Sequence, residues 1–436
     1  MKHKEFEKRR KELMNHMEES SIAIVPTSPV RQRNRDVEFP YRPDSDFYYL
    51  TGFSEPEALA VLIPGRKLGE YVLFCRERNP EMEQWDGQRA GLEGACEEYG
   101  ADDAFPIGDM NEILPGLMEG CARVYYSLGY YQDIDHQLLE WVKNLRNRTR
   151  AGEQPLVEFV ALDHIIHEMR LIKSREEIKS IEKAVAISAR AHERAMRNCR
   201  PGLREDQIEA ELIYEFTYGG SRSVAYPSIV AGGENACIMH YTENTATLRD
   251  GDLLLIDAGA EFDCYASDIT RTFPVNGRFS PAQKDLYEIV LASQLAAIDA
   301  VRPGNHWDDP HQAALKVMVD GLLEIGLLKG RPETLLKNRS YRKYYMHRTG
   351  HWMGMDVHDV GDYKIGGMWR VLEPGMVLTV EPGLYIPDTR SVPKKYRNIG
   401  IRIEDDVLVT REGHEVLTRA VIKTVDEIEA LVGSAA

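Results

Sequence analysis

The chain has 436 residues and a formal net charge of −16, with 43% apolar and 28% charged residues. A chain of this length folds as about two or three domains and can bury a large core without crosslinks. The acidic balance argues against a nucleic-acid-binding surface, and no apolar run reaches the roughly 20 residues needed to cross a membrane.

Residues 4–18 are predicted to form a charged amphipathic helix, not a signal peptide. Short apolar runs at 21–26, 57–64, 71–75 and 123–128 read as strands, and 135–147 as a helix. Together they predict an α/β domain over 1–172. The basic run at 146–150 is short and has no interleaved aromatics. Six cysteines, Cys75, Cys96, Cys121, Cys199, Cys237 and Cys264, form no CxxC pair, which suits a reducing cytoplasm better than a disulfide framework.

A second domain is predicted over 173–436. Ser174 and Glu177 make a capping box, followed by a helix with Ile178, Ile181, Val185 and Ala189 on one face. That helix stops at Arg200-Pro201-Gly202, because proline cannot continue it. A further helix, about 205–218, ends at Gly219-Gly220. The plan then repeats. Ser280, Pro281 and Gln283 open a helix that stops at Arg302-Pro303-Gly304, and another follows to about 326. Two helix-pair blocks, each leading into strands, predict duplicated halves with a site between them.

The chemistry concentrates where apolar strands meet acids. The stretch "LLLIDAGAEFDCYASDITRTFP" (253–274) carries Asp257 and Asp268. If Leu253–Asp257 pairs antiparallel with Cys264–Thr272 about a turn centred between Phe262 and Asp263, the two acids lie opposite each other. Their Cβ atoms would be about 5 Å apart. Carboxylates that close repel by about 3 kcal/mol at an effective dielectric of about 20, so such a pair needs a cation or a shared proton. A one-residue change of register would instead put the acids on opposite faces, as ordinary turn or surface residues.

Three later stretches add to this pair. "MVLTVEPGLY" (376–385) is a buried strand ending in Glu381, and "IRIEDDVLV" (401–409) sets Arg402 and Glu404 on one face of an apolar strand. "MHRTGHWMGMDVHD" (346–359) contributes His347, His351 and His358 within twelve positions. Carboxylate donors with one imidazole favour Mn, Co, Fe or Zn over copper or an iron–sulfur cluster.

The order Asp257, Asp268, His351, Glu381, Glu404, with its flanks, resembles the ligand set of the "pita-bread" metallopeptidases: methionine aminopeptidases, prolidases and aminopeptidases P. The stretch "RNRDVEFPYRPDSDFYYLTGFSEPEA" (33–58) is similar to the N-terminal domain of bacterial aminopeptidase P. The resemblance implies an α/β (α+β) protein, with that domain preceding a pita-bread catalytic domain. It implies a hydrolase that releases the first residue from peptides with proline second. The nucleophile would be a hydroxide held between two divalent ions, most often Mn2+, with Co2+, Fe2+ or Zn2+ possible.

By the same resemblance, Asp268 and Glu404 would bridge the ions, Asp257 would hold one, and His351 with Glu381 the other. Glu381 would also shuttle a proton. His240 and His358 would steady the oxyanion or the proline side, and Arg402 would contact substrate or orient ligands. Tyr385 and His347 could equally be packing. Trp85 matches a tryptophan that long relatives present to a neighbouring subunit's site. A cytoplasmic homotetramer or dimer is expected, with neither nucleic acid nor membrane as partner. The alternatives are an Xaa-Pro dipeptidase (prolidase), a metal-free creatinase-type enzyme and a non-catalytic binding relative of the fold.

Overall fold

The computed structural model describes residues 3–148 and 158–434, so the end of the basic run at 146–150 lies outside the described residues. The chain divides into two compact units, Met1–Arg170 and Leu171–Ala436.

The first unit opens with helix α1 (His3–His16). It is built on a mixed sheet of β1 (Ser21–Pro26), β2 (Leu59–Leu62), β3 (Tyr71–Cys75), β4 (Asp103–Pro106), β5 (Arg123–Tyr125) and β6 (Glu158–Val160), in the order β4-β3-β2-β1-β5-β6. β1, β2 and β3 are buried throughout, and central strands covered on both faces carry unbroken apolar runs. That is why they were legible in the sequence, whereas the edge strands β4 and β6, only partly buried or exposed, were not. Helix α2 (Gln132–Arg148) brings Leu138 and Trp141 onto Ile22, Ile24 and Val124 of this core.

The second unit starts with α3 (Arg175–Asn198), capped reciprocally by Ser174 and Glu177, which packs on α4 (Glu205–Tyr218). The strands that follow are β7 (Ile229–Gly232), β8 (Leu253–Asp257), β9 (Ala260–Phe262), β10 (Tyr265–Ala266) and β11 (Thr270–Pro274). The plan recurs with α5 (Pro281–Asp299), capped by Ser280 and Gln283, packed on α6 (Asp309–Glu324). After it come β12 (Val377–Val380), β13 (Gly383–Ile386), β14 (Ile399–Arg402), β15 (Asp405–Val409) and β16 (His414–Val416). Each helix pair thus leads into antiparallel strands, β7-β8-β11 in one half and β12-β15-β16 with β13-β14 in the other. The halves join where the Glu404 N–H donates to Thr270 O (3.1 Å) and the Thr272 hydroxyl donates to Arg402 O (2.9 Å). Among the described residues, no helix is long and apolar enough to cross a membrane.

Two local expectations are corrected. The predicted pairing of Asp257 with Asp268 is displaced, because β8 pairs Asp257 with Thr270 and Leu253 with Pro274. The turn sits one residue later than expected, at Asp263-Cys264, both with positive φ (50° and 62°). These are the angles of the two-residue turn that matches strand twist, and it closes the β9–β10 hairpin. The pairing moves by two positions, an even shift, so the face occupied by each side chain is kept. The expected continuous strands over 264–272 and 401–409 are also broken, at 267–269 and at Ile403-Glu404, while the strand expected to end in Glu381 does end there, and a new one starts after Pro382. At Glu381-Pro382 and at Ile403-Glu404 the chain changes partner: β12 pairs with β15, but β13 with β14.

Candidate metal centre

The acids sit at those breaks. Asp257 closes β8, and Asp268 lies between β10 and β11. Glu381 lies between β12 and β13, and Glu404 between β14 and β15. Within a regular strand a side chain is committed to one face of one sheet. At a break that commitment ends, and four strand ends from both halves turn their acids towards a common point. The segment carrying His351 is threaded beside β12, with Thr379 N–H donating to His351 O (3.0 Å) and Glu381 N–H donating to Thr349 O (2.8 Å). A Cβ on Gly350 would lie 2.0 Å from Thr379 O, so this approach requires glycine.

One donor atom each from Asp268, His351 and Glu404 lie within 4.8 Å of one another. His351 Nε2 is 3.3 Å from Asp268 Oδ2 and 3.8 Å from Glu381 Oε1. Asp257, Asp268 and Glu404 are buried. All five residues line one cavity of about 510 Å³, together with His240, His347, His358 and Arg402. The cavity thus brings together these nine residues named from the sequence, whereas Tyr385 is not among its lining and Trp85 belongs to the first unit. His240 and His358 are exposed at the mouth, and the His358 ring stands edge-on to His351 at 4.3 Å.

The electrostatics of this cluster favour added positive charge. Burial, reinforced by neighbouring carboxylates, raises the proton affinity of Asp268, Glu381 and Glu404. Burial alone would lower that of His351, but Asp268 and Glu381 push it up to about 9. The His351 Nδ1–H is directed at Trp352 O (2.9 Å), which leaves Nε2 as the atom that faces the acids. Four carboxylates and one imidazole, held this way, fit a hard divalent ion.

A second layer fixes these groups. Arg402 Nη2 donates to Asp257 Oδ2 (2.6 Å), and its Nη1 donates to the Tyr385 hydroxyl (2.9 Å). Tyr385 in turn lies 2.9 Å from His347 Nε2. Burial, then Arg402, pulls His347 down to about 3; its Nδ1–H donates to Arg348 O (2.7 Å), so Nε2 accepts a hydrogen bond from the Tyr385 hydroxyl. His347 and Tyr385 are thus members of a chain that ends on Asp257, not mere packing.

Sequence reasoning missed three members of this layer. The Tyr226 hydroxyl lies 2.6 Å from Asp257 Oδ1 and 2.5 Å from Asp268 Oδ1. It has one proton to donate, so it serves one carboxylate and turns a lone pair to the other. Thr270 Oγ1 donates to Glu404 Oε2 (2.6 Å) while accepting from Arg402 Nε (3.2 Å). Asp406 Oδ2 accepts the Asp268 N–H (3.0 Å). The only signal for Tyr226 was a polar aromatic placed just before the apolar strand β7.

Residues 179–411 match metallopeptidase family M24, and residues 6–125 match the aminopeptidase P N-terminal domain. The chain is 45% identical over 432 residues to the Xaa-Pro aminopeptidase of Escherichia coli (strain K12), covering 99% of this chain and 98% of that protein. The structure of Pseudomonas aeruginosa aminopeptidase PepP superposes with a TM-score of 0.99 at 61% identity, covering 100% of this chain and 99% of that one. Zinc-substituted E. coli aminopeptidase P in complex with product gives a TM-score of 0.97 at 45% identity, covering 100% of this chain and 99% of that one. The chain belongs to metallopeptidase family M24 and, within it, to the Xaa-Pro aminopeptidases of the pita-bread fold.

Proposed function

We propose that this enzyme releases the N-terminal residue from peptides with proline at the second position, using a dinuclear metal centre in the second unit. The observation that carries this reading is the convergence of Asp257, Asp268, His351, Glu381 and Glu404 on one cavity, at breaks in strands from both halves. Residues 1–172 would form the aminopeptidase P-type domain and 173–436 the catalytic domain. Asp257, Asp268, His351, Glu381 and Glu404 would together hold the ions. Manganese is the ion we assign.

Bound there, divalent cations polarise the scissile carbonyl and bring the pKa of water towards about 7. Glu381 takes the proton of the attacking water and delivers it to the proline nitrogen, which lacks a hydrogen of its own. His240 and His358, at the mouth of the cavity, donate to the carbonyl oxygen as its charge develops. Arg402 acts on Asp257, whose oxygen it holds at 2.6 Å.

The six cysteines are all free, which suits a cytoplasmic enzyme. Trp85 is 85% exposed, on a short helix (Pro80–Asp86) none of whose residues is buried. The homo-oligomer, a tetramer or dimer, is proposed from the family resemblance at Trp85, since a single exposed aromatic is ordinary on any protein surface.

The reading is tested by assaying manganese-loaded protein on Xaa-Pro-Yaa tripeptides and on Xaa-Pro dipeptides. Tripeptides are expected to be cleaved after the first residue. Cleavage of dipeptides alone would make the enzyme a prolidase.

A further inference from the structure

A second cavity, of about 470 Å³, adjoins the metal cleft and shares His347 and Arg348 with it. Its charged lining is one-sided. Lys337, Arg339, Arg342 and Arg348 border it, and Asp308 is the one acid among its lining residues. This local excess of cations occurs on a chain whose net charge is −16. His311, also in the lining, adds no charge, because burial draws its ring down to about 4.

The cavity is built rather than incidental. Its wall includes Tyr341 and Tyr345, both buried, and the Tyr345 hydroxyl meets Thr349 Oγ1 at 2.6 Å. Arg348 is steered by an ion pair with Asp308 and by the Trp369 ring, 4.6 Å from its guanidinium carbon. Arg339 is held at φ 58°, a conformation that asparagine or glycine would adopt more easily. The Asn338 side chain fastens the next residue by accepting the Ser340 N–H (3.0 Å).

We propose that this annex is a subsite for a carboxylate of the peptide substrate, so that the enzyme favours peptides with an acidic group close to the scissile bond. The inference rests on the Xaa-Pro reading above, because continuity through His347 and Arg348 is what brings a bound peptide to the annex. The carboxylate has two possible sources: the side chain of the first residue, or an acidic residue beyond proline. Several partly exposed pairs acting together are worth about tenfold, and salt screens them.

The test uses the full-length, manganese-loaded protein. One peptide series carries Asp, Ala or Lys at the first position with proline second. A second series carries them immediately after proline. Both kcat/KM and equilibrium binding, by anisotropy of labelled peptides, are measured at low and high salt. One of the two Asp peptides is expected to exceed its Ala counterpart by about tenfold, and its Lys counterpart to fall below it. The favoured series identifies the source of the carboxylate.

The double substitution Arg339→Glu with Arg342→Glu, at two exposed positions, should erase the preference and leave the Ala peptides unchanged. Equal values for Asp, Ala and Lys in both series would overturn the proposal, as would a preference that survives the double substitution. If no Xaa-Pro peptide is cleaved, the functional reading fails. The binding measurements then still decide the annex.

Discussion

Replacing Glu381 by glutamine is expected to lower kcat on an Xaa-Pro-Yaa tripeptide by roughly 10²- to 10⁴-fold, the range for losing a positioned acid–base group. Glutamine keeps the shape and the backbone bond from Glu381 N–H to Thr349 O, but it cannot accept and return a proton. It also withdraws one negative charge from a cluster in which burial and neighbouring carboxylates already disfavour ionisation. The metal-free variant should therefore melt no lower than the parent, and should bind metal more weakly. Steady-state kinetics and thermal melts on the same preparations check both halves. Undiminished turnover would remove Glu381 from the proton-transfer role. A collapsed melting temperature would mean that it supports the fold instead.

Substituting Arg271 by methionine should have the largest effect on stability. Arg271 is fully buried, and its guanidinium is saturated. Nε donates to Ile422 O (2.9 Å). Nη1 donates to Thr270 O (2.9 Å) and Glu404 O (2.6 Å). Nη2 donates to Asp405 Oδ1 (2.8 Å) and Val421 O (2.9 Å). Methionine fills similar space but leaves four carbonyls without these donors. Asp405 would retain Lys423, Gln294 and Thr418 (each 2.6 Å), but lose its fully buried cation. Breaking a buried pair from one side costs about 3–5 kcal/mol. For units of this size that is a fall in melting temperature of about 10 °C. Because Arg271 bonds both Thr270 O and Glu404 O, metal affinity should fall as well. Calorimetry in the presence and absence of manganese separates the two effects. A shift of less than a degree or so would show that the carbonyls find other donors.

Much of this architecture was legible in the chain because local chemistry and the fold agree. Ser174 with Glu177 and Ser280 with Gln283 announce helices that the structure caps as expected. The repeated Arg-Pro-Gly stops mark the duplicated halves. The acids stood out because each follows or interrupts an apolar run, where an unpaired charge is costly.

What escaped notice depends on backbone or distant partners. The turn at Asp263-Cys264 has neither glycine nor asparagine to advertise its positive φ angles, so the predicted register was displaced. The break at Ile403-Glu404 follows from exchange of sheet partners, which a strand's own sequence does not encode, whereas Pro382 marked the end at Glu381. Tyr226 and Thr270 reach Asp268 and Glu404 across 42 and 134 residues. No periodicity reports such contacts.

The central claim is that these converging acids are tolerable together because divalent cations share them. Its most direct test is to strip the protein with a chelator, titrate manganese back, and follow bound metal by elemental analysis alongside tripeptide hydrolysis. The account predicts negligible hydrolysis by the stripped enzyme, and activity that rises to a plateau at two ions per chain. Full activity in the stripped protein, or a plateau below one ion per chain, would contradict it.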